Sequence, residues 1–191
     1  MWCLIAALAI VLAVAMLSVI VASSKRRTAG GAPRPADATF ALPAPDAAWV
    51  AHELKKLSIR LKAPSSVRLE EIAWEGIEPE LKVTLPNGYE CRVKPCPDFA
   101  KEVAEERAWV SDPSHRQLFQ ALLEAPDAFV HTASEAPYGQ YWAAMAASAP
   151  VRGVVYYAHT HGTILKGDQR TNISAQECAQ LVAMVRTIGP L

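Results

Sequence analysis

Two histidines one residue apart, His159 and His161, are the side chains whose type and spacing point most directly to chemistry. They follow the apolar run Val154-Val155-Tyr156-Tyr157-Ala158 and precede Gly162. Alternate residues of a strand share a face, so Tyr157, His159 and His161 are expected to point the same way. Neutral imidazole is a good zinc ligand, and two on one face at a strand end can share an ion. A zinc site needs a further protein ligand. Asp168, Glu177, His131 and Glu135 are all within chain reach, and spacing alone does not choose among them.

The run from Val154 to Gly162, followed by Ser174-Ala175-Gln176-Glu177, resembles part of the JAB/MPN metallopeptidase motif. That family has a strand, then His-Ser/Thr-His-Pro, then Ser-x-x-Asp at a helix start, with a glutamate upstream. The resemblance implies that His159, His161 and Glu177 are metal ligands, Glu177 standing where the family has aspartate. It implies that Ser174 matches the family's serine. It also implies that Glu135, or Glu124, is the upstream acid that activates water. Gly162 replaces the family's proline, and the interval from His161 to Ser174 is longer than the motif's. The same residues also have a purely structural reading. Ser174 and Glu177 form a capping box, in which each side chain satisfies the other's backbone N–H.

The chain has four cysteines. Cys91 belongs to the apolar side of a hairpin, Cys178 to the apolar side of a helix, and Cys3 to the N-terminal apolar run. Cys96, between Pro95 and Pro97, could turn back toward Cys91, and a disulfide there requires an oxidising compartment. No glycine-rich phosphate loop follows a strand, because Gly30-Gly31 lies in a Pro/Ala stretch and Gly153 lies within a strand.

The elements that must position these groups can be read from periodicity and punctuation. Val50, Leu54, Leu57 and Leu61 fall at helical spacing, so a helix is expected over 47–62, capped by Asp46 and ended by Pro64. A short strand follows at 67–74. Strands at 80–85 and 89–94 flank Pro86-Asn87-Gly88. A three-residue loop pairs Leu85 with Tyr89, Val83 with Cys91 and Leu81 with Val93, which gathers the apolar groups on one side. Helices are predicted over 99–110, after Asp112-Pro113 through Leu118, Phe119, Leu122 and Leu123, and from Pro137 through Tyr141, Trp142 and Met145. Strands are predicted at 128–132, 151–158 and 163–166. A last helix starts at the Ser174–Glu177 box and stops at Gly189-Pro190. The fold class is α+β, an antiparallel or mixed sheet with about four to five helices after an N-terminal transmembrane helix.

Residues 2–22 are apolar except for Ser18 and would span about 31 Å as a helix, close to the hydrocarbon thickness of a bilayer. Residues 1–24 therefore read as a transmembrane anchor, 25–45 as a basic flank and Pro/Ala-rich tether, and 46–191 as the globular domain. Lys25, Arg26 and Arg27 follow the apolar run, and nothing basic precedes it beyond the terminal amine. That asymmetry places the domain on the cytoplasmic side of a single-pass cell-membrane protein with the lipid bilayer as a partner.

Across the 191 residues, 19 basic side chains balance 19 acidic ones. Without Lys25, Arg26 and Arg27 the remainder is slightly acidic, which argues against a nucleic-acid partner held by charge. Two readings of function stand side by side. One is a non-catalytic, membrane-anchored accessory domain that holds another protein, has no cofactor, and uses exposed Trp109, Tyr138 and Trp142 as contacts. The other is a membrane-tethered zinc-dependent peptidase or amide hydrolase built on the His-x-His pair. Whether the chain is an enzyme, and which small molecule it meets, cannot be read from composition or spacing.

Overall fold

The computed structural model describes residues 40–45, 48–114, 117–135, 139–160, 163–166 and 169–191. All belong to one compact unit, Thr39–Leu191. A three-stranded antiparallel sheet is formed by β1 (Trp49–Leu54), β2 (Ile59–Pro64) and the short β12 (Gly189–Pro190), in the order β1-β2-β12. The large sheet contains β3 (Arg68–Ile72), β4 (Glu80–Thr84), β5 (Glu90–Pro95), β6 (Gln117–Ala125), β7 (Ala128–Glu135), β8 (Gly139–Ala147) and β9 (Tyr156–His159). Its order is β3-β4-β5-β9-β8-β7-β6, and each neighbouring pair is antiparallel. A small hairpin, β10 (Thr163–Lys166) with β11 (Gln169–Asn172), follows β9. Two helices complete the described fold, α1 (Phe99–Ser111) and α2 (Ala175–Arg186).

Strand alternation divides the large sheet into two unlike faces. Leu81, Val83, Cys91, Val93, Val130, Ala144, Ala146 and Ala158 point into the main core. There they meet Cys178, Leu181, Val182 and Val185 of α2 and Ile59 and Leu61 of β2. Phe40 and Leu42, ahead of β1, also pack on this core. The opposite face carries Phe129, Met145, Ala147 and Tyr157, which pack with Phe99 and Val103 of α1.

Local chemistry explains the elements that match expectation. The β4–β5 register pairs Leu81 with Val93, Val83 with Cys91 and Thr84 with Glu90. The three-residue loop closes with Leu85 N–H donating to Tyr89 O at 2.8 Å and Gly88 N–H to Leu85 O at 2.9 Å. Gly88 takes φ +84°, a left-handed conformation that glycine adopts without steric penalty. Asp98 caps α1 by accepting from Lys101 N at 3.0 Å. Ser174 and Glu177 form the complete capping box of α2.

Three predicted helices are strands instead. The 47–62 segment is the β1–β2 hairpin, turning through Lys55–Ser58. Val50 at the head of its apolar stripe is 46% exposed, whereas Ile59, Leu61 and Ala63 are buried at the strand period of two. The stretch 117–125 is β6, an edge strand with two register shifts, between Gln117 and Gln120 and between Ala121 and Leu123. Each bulge adds a residue to the period of two, so Leu118, Phe119, Leu122 and Leu123 mimic helical spacing; Leu118 is 83% exposed. The alanine-rich stretch 141–147 has high helix propensity but forms β8, between β7 and β9. Ala143, Ala144, Ala146 and Ala147 are buried from both faces, where small side chains let helices approach closely. The predicted strand 151–158 is shorter, with an isolated Val151–Val154 bridge preceding β9. The fold is therefore α+β with antiparallel sheets and two helices among the described residues, in place of four or five.

The apolar run 2–22 and most of the tether lie outside the described residues. Among the described residues no helix is long and apolar enough to cross a membrane. The expected single-pass anchor falls on residues outside the described ones, and no described helix supports it, the bilayer as partner or the cell-membrane placement.

Candidate functional site

Tyr157 and His159 do share a face of β9, and that face looks toward α1. β9 lies between β5 and β8, so His159 stands beside Arg92 on one side and Met145 on the other. From α1, Glu106 reaches down between two imidazoles. Its Oε1 lies 3.1 Å from Nε2 of His131 on β7, and its Oε2 lies 3.5 Å from Nε2 of His159. The first distance is a hydrogen bond, in which the imidazole N–H donates to the carboxylate; the second is a looser ion-pair distance. His131 is fully buried among the rings of Phe119, Phe129 and Tyr141, with centroid separations of 5.8, 5.3 and 6.3 Å. Its Nδ1 meets no hydrogen-bond partner.

One turn earlier, Glu102 Oε2 accepts from the Tyr157 hydroxyl at 3.3 Å. Burial, and then the nearby Glu102 carboxylate, push the Tyr157 phenol up to about 12, so it stays a donor at neutral pH. The ammonium of Lys94 lies 5.5 Å from the centre of the same ring. Next to Glu106, Arg107 pairs with Glu124 of β6 at 2.6 Å and stacks on Phe129 at 5.1 Å. Only Phe99 and Val110, at opposite ends of α1, are buried. Between them half-buried Val103 packs on the same apolar cluster as Phe99, and the rest of the helix's middle is held by polar contacts.

Beside this grip lies an open cleft of about 860 Å³. Glu102, Glu105, Glu106 and Trp109 of α1 form one wall, and the β4, β5 and β9 face of the sheet forms the other. On the sheet wall, Arg92 pairs with Glu80 at 2.6 Å and Lys82 with Glu90 at 3.2 Å. The volume lies within the range of clefts that hold small organic molecules.

Among the described residues, Ser174 and Glu177 lie apart from His159. Ser174 and Glu177 hydrogen-bond to each other at 2.7 Å, and Glu177 also accepts from Asn87 Nδ2 at 3.1 Å. They cap α2, which packs on the sheet face opposite to His159. His161 lies outside the described residues, as do Asp168 and Tyr138. Glu135 is the last residue of β7, its backbone paired with Gly139. Glu124 is engaged by Arg107. Among the described residues no group of three or more His, Cys, Asp or Glu side chains could hold a metal ion. In the Glu106 cluster each carboxylate oxygen faces a different imidazole, so the donors do not converge on one point. The zinc hydrolase reading therefore finds no metal-binding cluster among the described residues.

Among the described residues nothing supports the accessory-domain reading's membrane anchor, and of its contact aromatics Trp142 is not exposed as expected. Trp142 packs against the main core, and Trp109 stands over the cleft at 45% exposure. Cys91, Cys96 and Cys178 are free and buried. Cys91 and Cys96 belong to cores on opposite faces of the sheet, so no bridge joins them. Burial raises all three thiols, Cys91 to about 12.

Glu106 and Glu102 were invisible as site residues in the sequence. His131 appeared only as a remote ligand candidate. The available signal was the helical spacing of Glu102, Glu106 and Trp109, which places them along one side of α1. No protein-family model matches the chain, and no curated protein or solved structure does.

Proposed function

We propose that this domain binds a small organic molecule in the cleft between α1 and the β4–β5–β9 face of the large sheet. The observation that carries this reading is the 860 Å³ cleft itself, walled by carboxylates, aromatic rings and the cations of β5. A helix packed by apolar contacts along its length would close such a space. Here the middle of α1 is held by Val103 alone among apolar groups and by Glu102, Glu106 and Arg107, and the cleft stays open beside them.

Ligand-observed NMR on the full-length chain tests this with a panel of amino acids, alkylamines, dicarboxylates and nucleosides. At least one class is expected to bind with Kd below about 1 mM, equivalent to roughly −4 kcal/mol, and to lose affinity in Trp109→Ala. Binding that ignores Trp109→Ala, or a panel without a binder, overturns the reading.

A further inference from the structure

We propose that the open edge of β1 takes up an extended protein segment in which apolar and acidic residues alternate, as a fourth strand of the small sheet. The site shares no residue with the cleft and does not depend on it. The sheet order β1-β2-β12 leaves β1 paired on one side only. Among the described residues, the backbone of Trp49–Leu54 hydrogen-bonds to β2 and to nothing else. Such an edge is a template for another strand unless the chain guards it.

The other edges of the two larger sheets are guarded. β12 is two residues long and ends in Pro190. β6 carries two register shifts, and Leu118 within it takes φ +54°. β3 carries Arg68, Glu70 and Glu71, and Glu71 Oε1 accepts from the N–H groups of Lys56 and Leu57 at 2.8 and 3.1 Å, which ties the β1–β2 turn to that strand. β1 has no register shift, proline or left-handed residue, and Glu53 is its only charge.

The two faces of β1 set the chemistry of the occupant, because alternate residues of an added strand fall on alternate faces. On the inner face Val50, His52 and Leu54 oppose the buried Ala63, Leu61 and Ile59, yet Val50 at the margin is 46% exposed. An apolar side chain on the added strand extends the core over Val50. On the outer face Ala51 and Glu53 oppose Lys62 and Arg60. Both cations are exposed, and among the described residues neither makes an ion pair. With Ala51, Pro45, Leu61 and Thr187 they line a hollow of about 500 Å³. Ala51 is too short to cover Lys62, so the ammonium can reach across β1 to a carboxylate on the next strand. Lys55 and Lys56 in the turn are also exposed cations without an ion pair among the described residues. Lys55, Lys56, Arg60 and Lys62 thus stand against Glu53 alone on this hairpin. That imbalance favours an acidic segment over a second copy of the same edge, whose own cations would face these.

Two acetylated and amidated octapeptides test the proposal on the full-length chain, one alternating valine with glutamate and one alternating valine with lysine. In isothermal titration at low salt, the glutamate peptide is expected to bind with Kd below about 1 mM, and about tenfold more tightly than the lysine peptide. In the double variant Arg60→Glu with Lys62→Glu, both at exposed positions, the lysine peptide is expected to become the tighter one. Hydrogen exchange of the 49–54 amides that face outward should slow about tenfold when the glutamate peptide is at about ten times its Kd. Equal affinity of the two peptides for the unaltered chain overturns the proposal, and so do a preference for lysine, an absence of binding, and binding that leaves the 49–54 amides unprotected. A double variant that keeps the preference for glutamate overturns the role of the two cations and the proposal with it. Protection of 49–54 that rises with the concentration of the peptide-free chain places a second copy on this edge and also overturns it.

Discussion

The two faces of the seven-stranded sheet are covered in opposite ways. On one face α2 buries Cys178, Ala179, Leu181, Val182, Ala183, Met184 and Val185. On the other, α1 buries only Phe99 and Val110, and half-buried Val103 with Glu102, Glu106 and Arg107 makes the contacts between them. Apolar burial is non-directional and scales with area, so the α2 face closes completely. Polar contacts are directional and few, so the α1 face is held at points and keeps a cleft between them. The first face makes the fold stable, and the second leaves a surface where recognition can occur.

The largest effect is expected on the α2 face. Leu181→Ala removes a side chain that is 1% exposed in the main core, and should cost about 3 kcal/mol. Chemical denaturation should show the midpoint falling with the slope unchanged. A loss below about 1 kcal/mol would mean that α2 is not the principal cover of the sheet.

A smaller and more local effect is expected from Glu106→Ala. It leaves Nε2 of the fully buried His131 without its carboxylate, at a cost of about 1–3 kcal/mol. Hydrogen exchange should accelerate in 99–111 and remain slow in 175–186. Equal acceleration in both helices would break the distinction between the two faces.

The smallest effect is expected from Asp127→Asn in the β6–β7 turn, whose partner Arg186 ends α2. Arg186 donates two hydrogen bonds of 2.6 Å to Asp127, and this pairing chiefly holds the Asp127 carboxyl below its ordinary value. A lowered carboxyl contributes stability that is present above its unfolded value, about 3.9, and is lost as pH falls through the folded one. The pair is partly solvated, so the substitution should cost about 0.5 kcal/mol at pH 7. The difference from the unaltered chain should vanish on acidification below the folded value. A difference that persists there would assign the effect to packing instead of charge.

Sequence legibility follows the same division. The β4–β5 hairpin was readable because one register alone puts Leu81, Val83, Cys91 and Val93 on a common side. α2 was readable from its capping box and apolar stripe. β1, β6 and β8 were not, because their context overrides their local signals. Bulges in β6 give its leucines helical spacing, and double burial in β8 favours alanine, which otherwise signals helix. At the site, alternation correctly joined Tyr157 to His159. Glu106 and His131 are 25 positions apart on different elements, and only the packing of α1 onto the sheet brings them together. The Ser174–Glu177 pair was legible as a cap, and its resemblance to a metal site came from the same two residues on the other side of the sheet.

The most direct test of a cleft reserved for recognition on the α1 face is a titration of the uniformly ¹⁵N-labelled full-length chain with the amino acids, alkylamines, dicarboxylates and nucleosides of the panel, followed by amide and indole shifts. Saturable shifts at the Trp109 indole N–H, the 102–109 amides and β9, with α2 amides unmoved, are the predicted result. Shifts centred on α2, or none with any member of the panel at millimolar concentration, would contradict it.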